Sequence, residues 1–157
     1  MKTLILYATK YGAARKIAES IAGKIQGSQI HDLKEPNLPD LAVFDCLIIG
    51  SSLYAGSIRK EAKSFLTQNA DNLRGKKVGL FLSGFDSSKE DDYFKTNFPS
   101  TVLQSAKSTA FLGGIYNPKK ANVFERFIIK LVMKQSEHID SIDESKIEKF
   151  INILSNM

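Results

Sequence analysis

The residues best suited to chemistry in this chain form a short loop between a predicted strand and a predicted helix. The apolar run 4–7 is typical of a buried strand, and the loop after it comprises Thr9, Lys10, Tyr11, Gly12, Ala13 and Ala14. Apolar residues then recur every three or four positions as far as Ile25, which predicts an amphipathic helix. The first N–H groups of a helix lack partners and carry the positive end of the helix dipole, so such a loop attracts anions. We therefore expect it to hold a phosphate group of a nucleotide-like ligand.

Two further stretches carry small, hydroxylated and aromatic residues directly after predicted strands. The first comprises Ser51, Ser52, Leu53, Tyr54, Ala55 and Gly56, and the second comprises Ser83, Gly84, Phe85 and Asp86. Small residues let a ligand approach the backbone, hydroxyl groups bind polar atoms, and an aromatic ring offers a face for stacking. Asp86 is equally suited to capping the helix predicted near residue 88. Together with the first loop, these stretches favour a phosphorylated planar ligand.

Strands and helices alternate along the chain, which predicts a single α/β domain over residues 1–157. Strand candidates are 3–8, 28–33, 44–50, 77–83 and 109–115, and helix candidates are 12–26, 57–70, 88–96, 100–107, 121–135 and 143–155. The apolar runs of the third and fourth strands are typical of parallel strands that are covered on both faces. We expect a three-layer sandwich around a five-stranded parallel sheet of order 2-1-3-4-5, with the ligand at the carboxyl ends of strands 1 and 3.

The composition argues against several classes of function. The chain carries 22 basic and 17 acidic side chains, and its net charge of +5 favours acidic partners only mildly. It shows no basic and aromatic stripe that would predict a nucleic-acid partner. Its apolar runs are far shorter than the roughly 20 residues of a membrane span. The single cysteine predicts a reducing, cytoplasmic location.

Other ligand classes are disfavoured by missing motifs. His31 and His138 are far apart and have no cluster of further ligands beside them, so we expect no metal site. The chain lacks the GxxxxGK[ST] motif of nucleoside triphosphatases, and its first loop lacks the GxGxxG motif of dinucleotide sites.

The three loops resemble those of flavodoxins, which bind FMN. The loop 9–14 after a buried strand is similar to the phosphate loop of that family, and the likeness extends to 50–56 and 86–88. The resemblance implies a flavodoxin-like fold in which 9–14 hold the phosphate, 51–56 line the ring, and 83–86 meet its pyrimidine edge and opposite face. Two positions depart from the family pattern, since Ala14 stands where threonine is usual and Lys89 where short flavodoxins have a stacking tyrosine. Either Tyr54 stacks alone, or Phe85 or Tyr93 covers the outer face.

A narrower resemblance concerns residues 113–134. The helical segment 124–134, preceded by the Gly/Tyr/Pro connection 113–118, is similar to a segment of menaquinone-dependent protoporphyrinogen dehydrogenases. That resemblance implies an FMN oxidoreductase that acts on a porphyrinogen, a quinone or both. The flavin would carry the redox chemistry, so no side chain is expected to act as nucleophile or general base. Two other functions stay open: a small electron-transfer flavodoxin with protein redox partners, which the basic charge opposes, and a binding module that has lost FMN.

The same segment also raises the question of a membrane contact. Residues 119–134 place apolar side chains at helical spacing, beside the basic residues Lys119, Lys120, Arg126, Lys130 and Lys134. Such a helix could rest on an anionic membrane near a quinone. It could equally cover the sheet and leave its basic face in water, because every sheet-covering helix needs an apolar stripe. We expect the sheet-covering arrangement and leave the peripheral membrane contact open.

Overall fold

The computed structural model of the protein describes residues 1–134 and 137–156. The strands are β1 (Thr3–Ala8), β2 (Gln29–Asp32), β3 (Cys46–Tyr54), β4 (Ser57–Ile58), β5 (Lys77–Ser83), β6 (Ser108–Phe111), β7 (Ile115–Tyr116) and β8 (Ile139–Asp140). The helices are α1 (Ala13–Lys24), α2 (Lys60–Asn69), α3 (Glu90–Asn97), α4 (Ser100–Ser105), α5 (Val123–Met133) and α6 (Glu144–Ser155). Short 3-10 turns cover Leu41–Val43, Asp71–Leu73 and Ser87–Lys89.

The central sheet has the predicted order. Five parallel strands follow one another as β2-β1-β3-β5-β6, which is 2-1-3-4-5 in the numbering of the predicted strands. A sixth strand, β4, pairs antiparallel with the end of β3, and β7 and β8 form a separate antiparallel pair. The predicted α/β sandwich and its sheet order are confirmed, and only the strand count differs.

Helices cover both faces of this sheet and divide the core into two halves. On one face, α1 and α6 bury apolar side chains against β1, β3 and β5. On the other face, α2, α3 and α4 do the same. Every residue of β1 is buried, as expected for a parallel strand between two helical layers. Cys46 is a fully buried core residue, and burial raises the pKa of its thiol to about 11.

Two predicted strand boundaries were wrong because the chain turns where the sequence pattern gave no warning. β3 continues through Tyr54 instead of ending at residue 50, and Ser57 and Ile58 return beside it as β4. As a result, α2 begins at Lys60 rather than at 57. The fifth parallel strand ends at Phe111, because Gly113 adopts a left-handed φ of 86° that redirects the chain into β7.

Helix α5 does not cover the sheet, so that expectation was wrong. Among the described residues, five of the eleven exposed large apolar side chains lie on this helix: Val123, Phe124, Phe127, Ile128 and Leu131. The predicted helix 121–135 begins at Val123 and runs to Met133, and Gln135 lies outside the described residues. Within 1–134 and 137–156, no helix combines the length and the apolarity needed to cross a bilayer.

Candidate functional site

The three predicted loops meet at one edge of the sheet because their strands are adjacent and parallel. At the carboxyl ends of these strands, Ala8 pairs with Ser51 across β1 and β3. Ser52 pairs with Ser83 across β3 and β5. The loops that follow β1, β3 and β5 therefore start side by side, which is the position that open α/β sheets use for ligands.

The first loop is built to leave helical N–H groups available. Gly12 is the N-cap of α1 and has a left-handed φ of 96°, and its own N–H donates to Oγ1 of Thr9 at 2.9 Å. Because glycine has no side chain with which to cap the helix, the N–H groups of Ala13 and Ala14 keep their capacity for an external anion. Both alanines are buried against the core, which anchors this turn.

The second stretch is a tight hairpin. Ala55 and Gly56 both have positive φ, of 50° and 76°, which is the geometry of a type I′ turn between β3 and β4. The buried side chain of Asn97 on α3 supports the hairpin, because its amide donates to the Gly56 carbonyl and accepts from the Ile58 N–H, both at 2.9 Å. Sequence reasoning missed Asn97, since nothing local to α3 indicates a contact with the hairpin.

The hydroxyl groups of Ser51 and Ser52 bond to the backbone around the site. Ser51 is fully buried, and its hydroxyl accepts from the Arg59 N–H at 2.9 Å and donates to the Ser52 carbonyl at 3.0 Å. Ser52 accepts from the Lys10 N–H at 3.2 Å and so joins the second stretch to the first loop.

The third stretch begins inside the sheet and ends in a capped turn. Ser83 is buried, and the N–H of Gly84 donates to the Gly113 carbonyl at 3.1 Å. Asp86 caps the turn Ser87–Lys89 by accepting from the Ser88 N–H, as one of its two predicted roles required. Hydrogen bonds from the Ser88 hydroxyl and backbone lower the pKa of the Asp86 carboxyl.

A cavity of about 490 Å³ lies between these loops and α5. Its wall includes eight predicted site residues: Tyr11, Leu53, Tyr54, Ala55, Gly56, Gly84, Phe85 and Asp86. It also includes Tyr93, Phe111, Tyr116, Phe124, Ile128 and Ile129, of which only Tyr93 was a candidate beforehand. The volume and the mostly apolar wall are typical of sites for planar organic ligands.

Three aromatic side chains that could contact a planar ligand line this cavity. Tyr54 is 37% exposed on the hairpin, and Phe85 is half-buried after β5. Tyr93 is also half-buried, but its ring already stacks on Phe111 with 6.5 Å between centroids. The roles assigned to these residues stay predictions, because the cavity presents all three.

Glu125 is the main site residue that sequence reasoning missed. It lies in the first turn of α5, is only 8% exposed, and accepts hydrogen bonds from the Lys10 ammonium and the Tyr11 hydroxyl. The Lys10 nitrogen also lies 3.6 Å from the centroid of the Tyr54 ring. One carboxylate thus connects α5 to the first loop, while the same lysine contacts the hairpin.

The electrostatics of this cluster favour the charged pair. Burial opposes ionisation of Glu125, but the bonds from Lys10, Tyr11 and the Asn122 N–H outweigh it and lower the pKa of Glu125 to about 2. The same contact with Glu125 raises the pKa of Lys10, and burial together with Glu125 raises the pKa of Tyr11. An available signal was the Asn122-x-x-Glu125 pattern, which forms a capping box at the start of α5. That pattern indicates a helix start but says nothing of a contact with Lys10.

Comparison with known proteins identifies the class. Residues 4–143 match the family model of the flavodoxin domain, so the chain belongs to that family. Among curated relatives, the chain is 24% identical over 149 residues to protoporphyrinogen IX dehydrogenase [quinone] of Escherichia coli K12, covering 87% of this chain and 81% of that one.

Solved structures share the fold. The flavodoxin of Streptococcus pneumonia TIGR4 superimposes with a TM-score of 0.60 at 18% identity, over 99% of this chain and 96% of that one. A flavoprotein from Lactobacillus acidophilus NCFM, solved with FMN, gives a TM-score of 0.51 at 19% identity, over 72% of this chain and 91% of that one. Both likenesses support the flavodoxin-like fold described above.

Proposed function

We propose that this chain is an FMN-dependent oxidoreductase that oxidises a porphyrinogen and reduces a quinone. FMN is the cofactor on which the family, the fold and the loops agree. When bound, FMN supplies the acceptance and release of hydrogen and electrons. Each pair of hydrogens removed from the porphyrinogen reduces one quinone to a quinol.

The residues at the sheet edge fit FMN. The free N–H groups after Gly12 suit its phosphate, the hairpin 53–56 suits one side of the ring, and Gly84 to Asp86 suit the pyrimidine edge. Tyr54 presents an aromatic face to the same space. The protein's part is to bind and orient the cofactor and to exclude water from its ring.

The observation that carries the oxidoreductase proposal is the outer wall of the cavity. Phe124, Ile128 and Ile129 of α5 face the loops across it, so apolar surface continues beyond the region that the flavin loops define. Such a wall suits a second, apolar ligand beside the ring. The likeness to a curated protoporphyrinogen IX dehydrogenase supports the same assignment.

The test is turnover by the purified, FMN-loaded protein. We expect it to convert protoporphyrinogen to fluorescent porphyrin without oxygen when menaquinone is added, and to stop when the quinone is withheld. The matched control is Tyr54→Ala loaded with excess FMN, in which an ill-placed ring should lower the rate at least about tenfold. A yellow protein that gives no porphyrin with any quinone would contradict the proposal.

A second candidate is a small electron-transfer flavodoxin that serves protein redox partners. It is favoured by the superposition over 99% of the chain on a flavodoxin. The net charge of +5 opposes it, because such carriers are commonly acidic. Reduction by a flavodoxin reductase without porphyrinogen turnover would favour this candidate, and a protein that binds no FMN would point to a binding module. The cytoplasmic location stays a prediction.

A further inference from the structure

Helix α5 reverses the usual arrangement of a surface helix, because a charged side chain faces the protein and several apolar side chains are exposed to solvent. Its carboxylate, Glu125, faces the body of the protein and is 8% exposed. Several of its apolar side chains are exposed: Val123 is 82%, Phe127 58% and Leu131 62% exposed, and Phe124, which also lines the cavity, is 67% exposed. A contiguous apolar helix face left in water is costly, so it marks a contact surface.

The charges around this face have one sign. Between residues 117 and 134 the only acidic residue is Glu125, and Lys10 and Tyr11 already occupy its carboxylate. The exposed charged residues of the segment are all basic: Lys119, Lys120, Arg126, Lys130 and Lys134. The surface therefore combines outward apolar residues with a cationic border.

We propose that α5 docks this protein on an anionic lipid surface, with Phe127 and Leu131 inserted between headgroups and Arg126 and Lys130 beside lipid phosphates. An apolar stripe bordered by lysine and arginine is the pattern of helices that lie in the plane of a membrane interface. A second copy of this chain fits less well, because two such faces would bring their cations together. The Glu125 contacts and the capping box also anchor the start of the helix to the first loop.

The docked position would place the cavity at the membrane. Phe124 and Ile128 are exposed on α5 and also line the cavity, so its α5 wall continues into the docking face. A membrane quinone could then reach the flavin without crossing water. This step rests on the proposed function, whereas the docking itself does not.

The docking is tested by sedimenting the full-length, FMN-loaded protein with vesicles, without substrate. We expect binding to phosphatidylglycerol/phosphatidylcholine vesicles and weak binding to pure phosphatidylcholine. Phe127→Ser/Leu131→Ser should lower the partition coefficient at least about tenfold, because it removes two side chains that insert. Arg126→Gln/Lys130→Gln should lower it about 25-fold, near fivefold per charge at an anionic surface.

Matched controls remove the same groups elsewhere. Ile30→Ser/Ile153→Ser changes two apolar residues that are 40% and 38% exposed on other elements. Lys63→Gln/Lys107→Gln removes two exposed positive charges away from α5. The first control should bind vesicles like the wild type. The second should do so once the general effect of losing two positive charges on vesicle binding is subtracted. All variants should keep their flavin spectrum, since Phe127, Leu131, Arg126 and Lys130 are not among the residues of the cavity wall.

Two results would overturn the lipid assignment. One is equal binding of the wild type and of both α5 variants to anionic vesicles. The other is a dimer, seen by sedimentation equilibrium without lipid binding, that Phe127→Ser/Leu131→Ser dissociates; it would assign the face to a second copy.

A further measurement compares a long-chain quinone in vesicles with a short-chain quinone in water. If the Phe127→Ser/Leu131→Ser variant loses turnover with the membrane quinone but keeps it with the water-soluble quinone, the result would support access from the bilayer. Equal rates for wild type and variant with both quinones would refute that access. If the wild type shows no turnover with either quinone, the proposed function is refuted, and the vesicle-binding result still stands.

Discussion

The Glu125 carboxylate on α5 forms an ion pair with the Lys10 ammonium in the loop 9–14, across 115 residues of chain. The contact joins α5 to the first loop of the candidate site. Together with the Tyr11 hydroxyl bond to the same carboxylate, it anchors the start of α5 beside the cavity.

Replacing Glu125 by glutamine should destabilise the protein at neutral pH. The variant leaves Lys10 without its counter-charge in a partly buried position, and we expect the free energy of unfolding at pH 7 to fall by about 2 kcal/mol. This is less than the roughly 3–5 kcal/mol of a fully buried pair, because the Lys10 side chain is 27% exposed. Urea unfolding of both proteins measures the difference.

The same ion pair predicts a pH dependence. Because the pKa of Glu125 is lowered from 4.5 to about 2, its stabilising effect is complete above about pH 5 and is lost as pH falls toward 2. The gap in unfolding free energy between wild type and Glu125→Gln should therefore shrink between pH 5 and pH 2. Parallel pH profiles for the two proteins would contradict this prediction, because they would mean that folding does not shift the pKa of Glu125.

Gly12→Ala should weaken FMN binding through the backbone. A side chain at a φ of 96° is strained, although no heavy atom lies within 4 Å of the added Cβ. We expect a loss of about 1 kcal/mol in stability and, because the first turn of α1 shifts, about tenfold in FMN affinity by fluorescence titration. Gly27→Ala is the matched control, since Gly27 also has a positive φ of 73° and open space. It should cost similar stability with unchanged FMN affinity, and equal affinities for the two variants would contradict the role of Gly12.

Tyr54→Ala should lower FMN affinity by about tenfold, because it removes the aromatic face on the hairpin. Tyr54→Phe keeps the ring and should bind FMN within about twofold of the wild type. Comparing the two variants separates the contribution of ring stacking to FMN affinity from the contribution of the hydroxyl group. Equal affinity of the alanine variant and the wild type would assign the stacking to Phe85 or Tyr93.

Gly50→Ala should unfold or strongly destabilise the protein. A Cβ at this position would lie 1.9 Å from the ring of Phe81, a core residue that cannot move aside without opening a cavity. We expect a loss of at least about 3 kcal/mol in thermal or urea unfolding. Gly23→Ala, inside α1 with nothing within 4 Å, should instead stabilise by about 0.5–1 kcal/mol. A mild effect of Gly50→Ala would mean that Phe81 repacks freely.

Much of the fold could be predicted because its signals are local. The apolar runs and the helical spacing after Gly12 are properties of short segments, and adjacent parallel strands bring their loops together by topology alone. For that reason the sheet order and eight of the cavity-lining residues could be anticipated. The hairpin at Ala55 was missed, because alanine rarely adopts a positive φ and gives no turn signal.

The remaining features depend on contacts between distant parts of the chain. The sequence by itself determined the flavodoxin-like sheet, the strand–loop–helix unit around residues 9–14 and the amphipathic character of residues 123–131. Only the tertiary structure decided which way that helix faces, because an apolar stripe has the same spacing whether it meets a core or the solvent. The contacts that anchor Glu125 come from Lys10 and Tyr11, more than 110 residues earlier in the chain, and no local pattern predicts a contact over that separation.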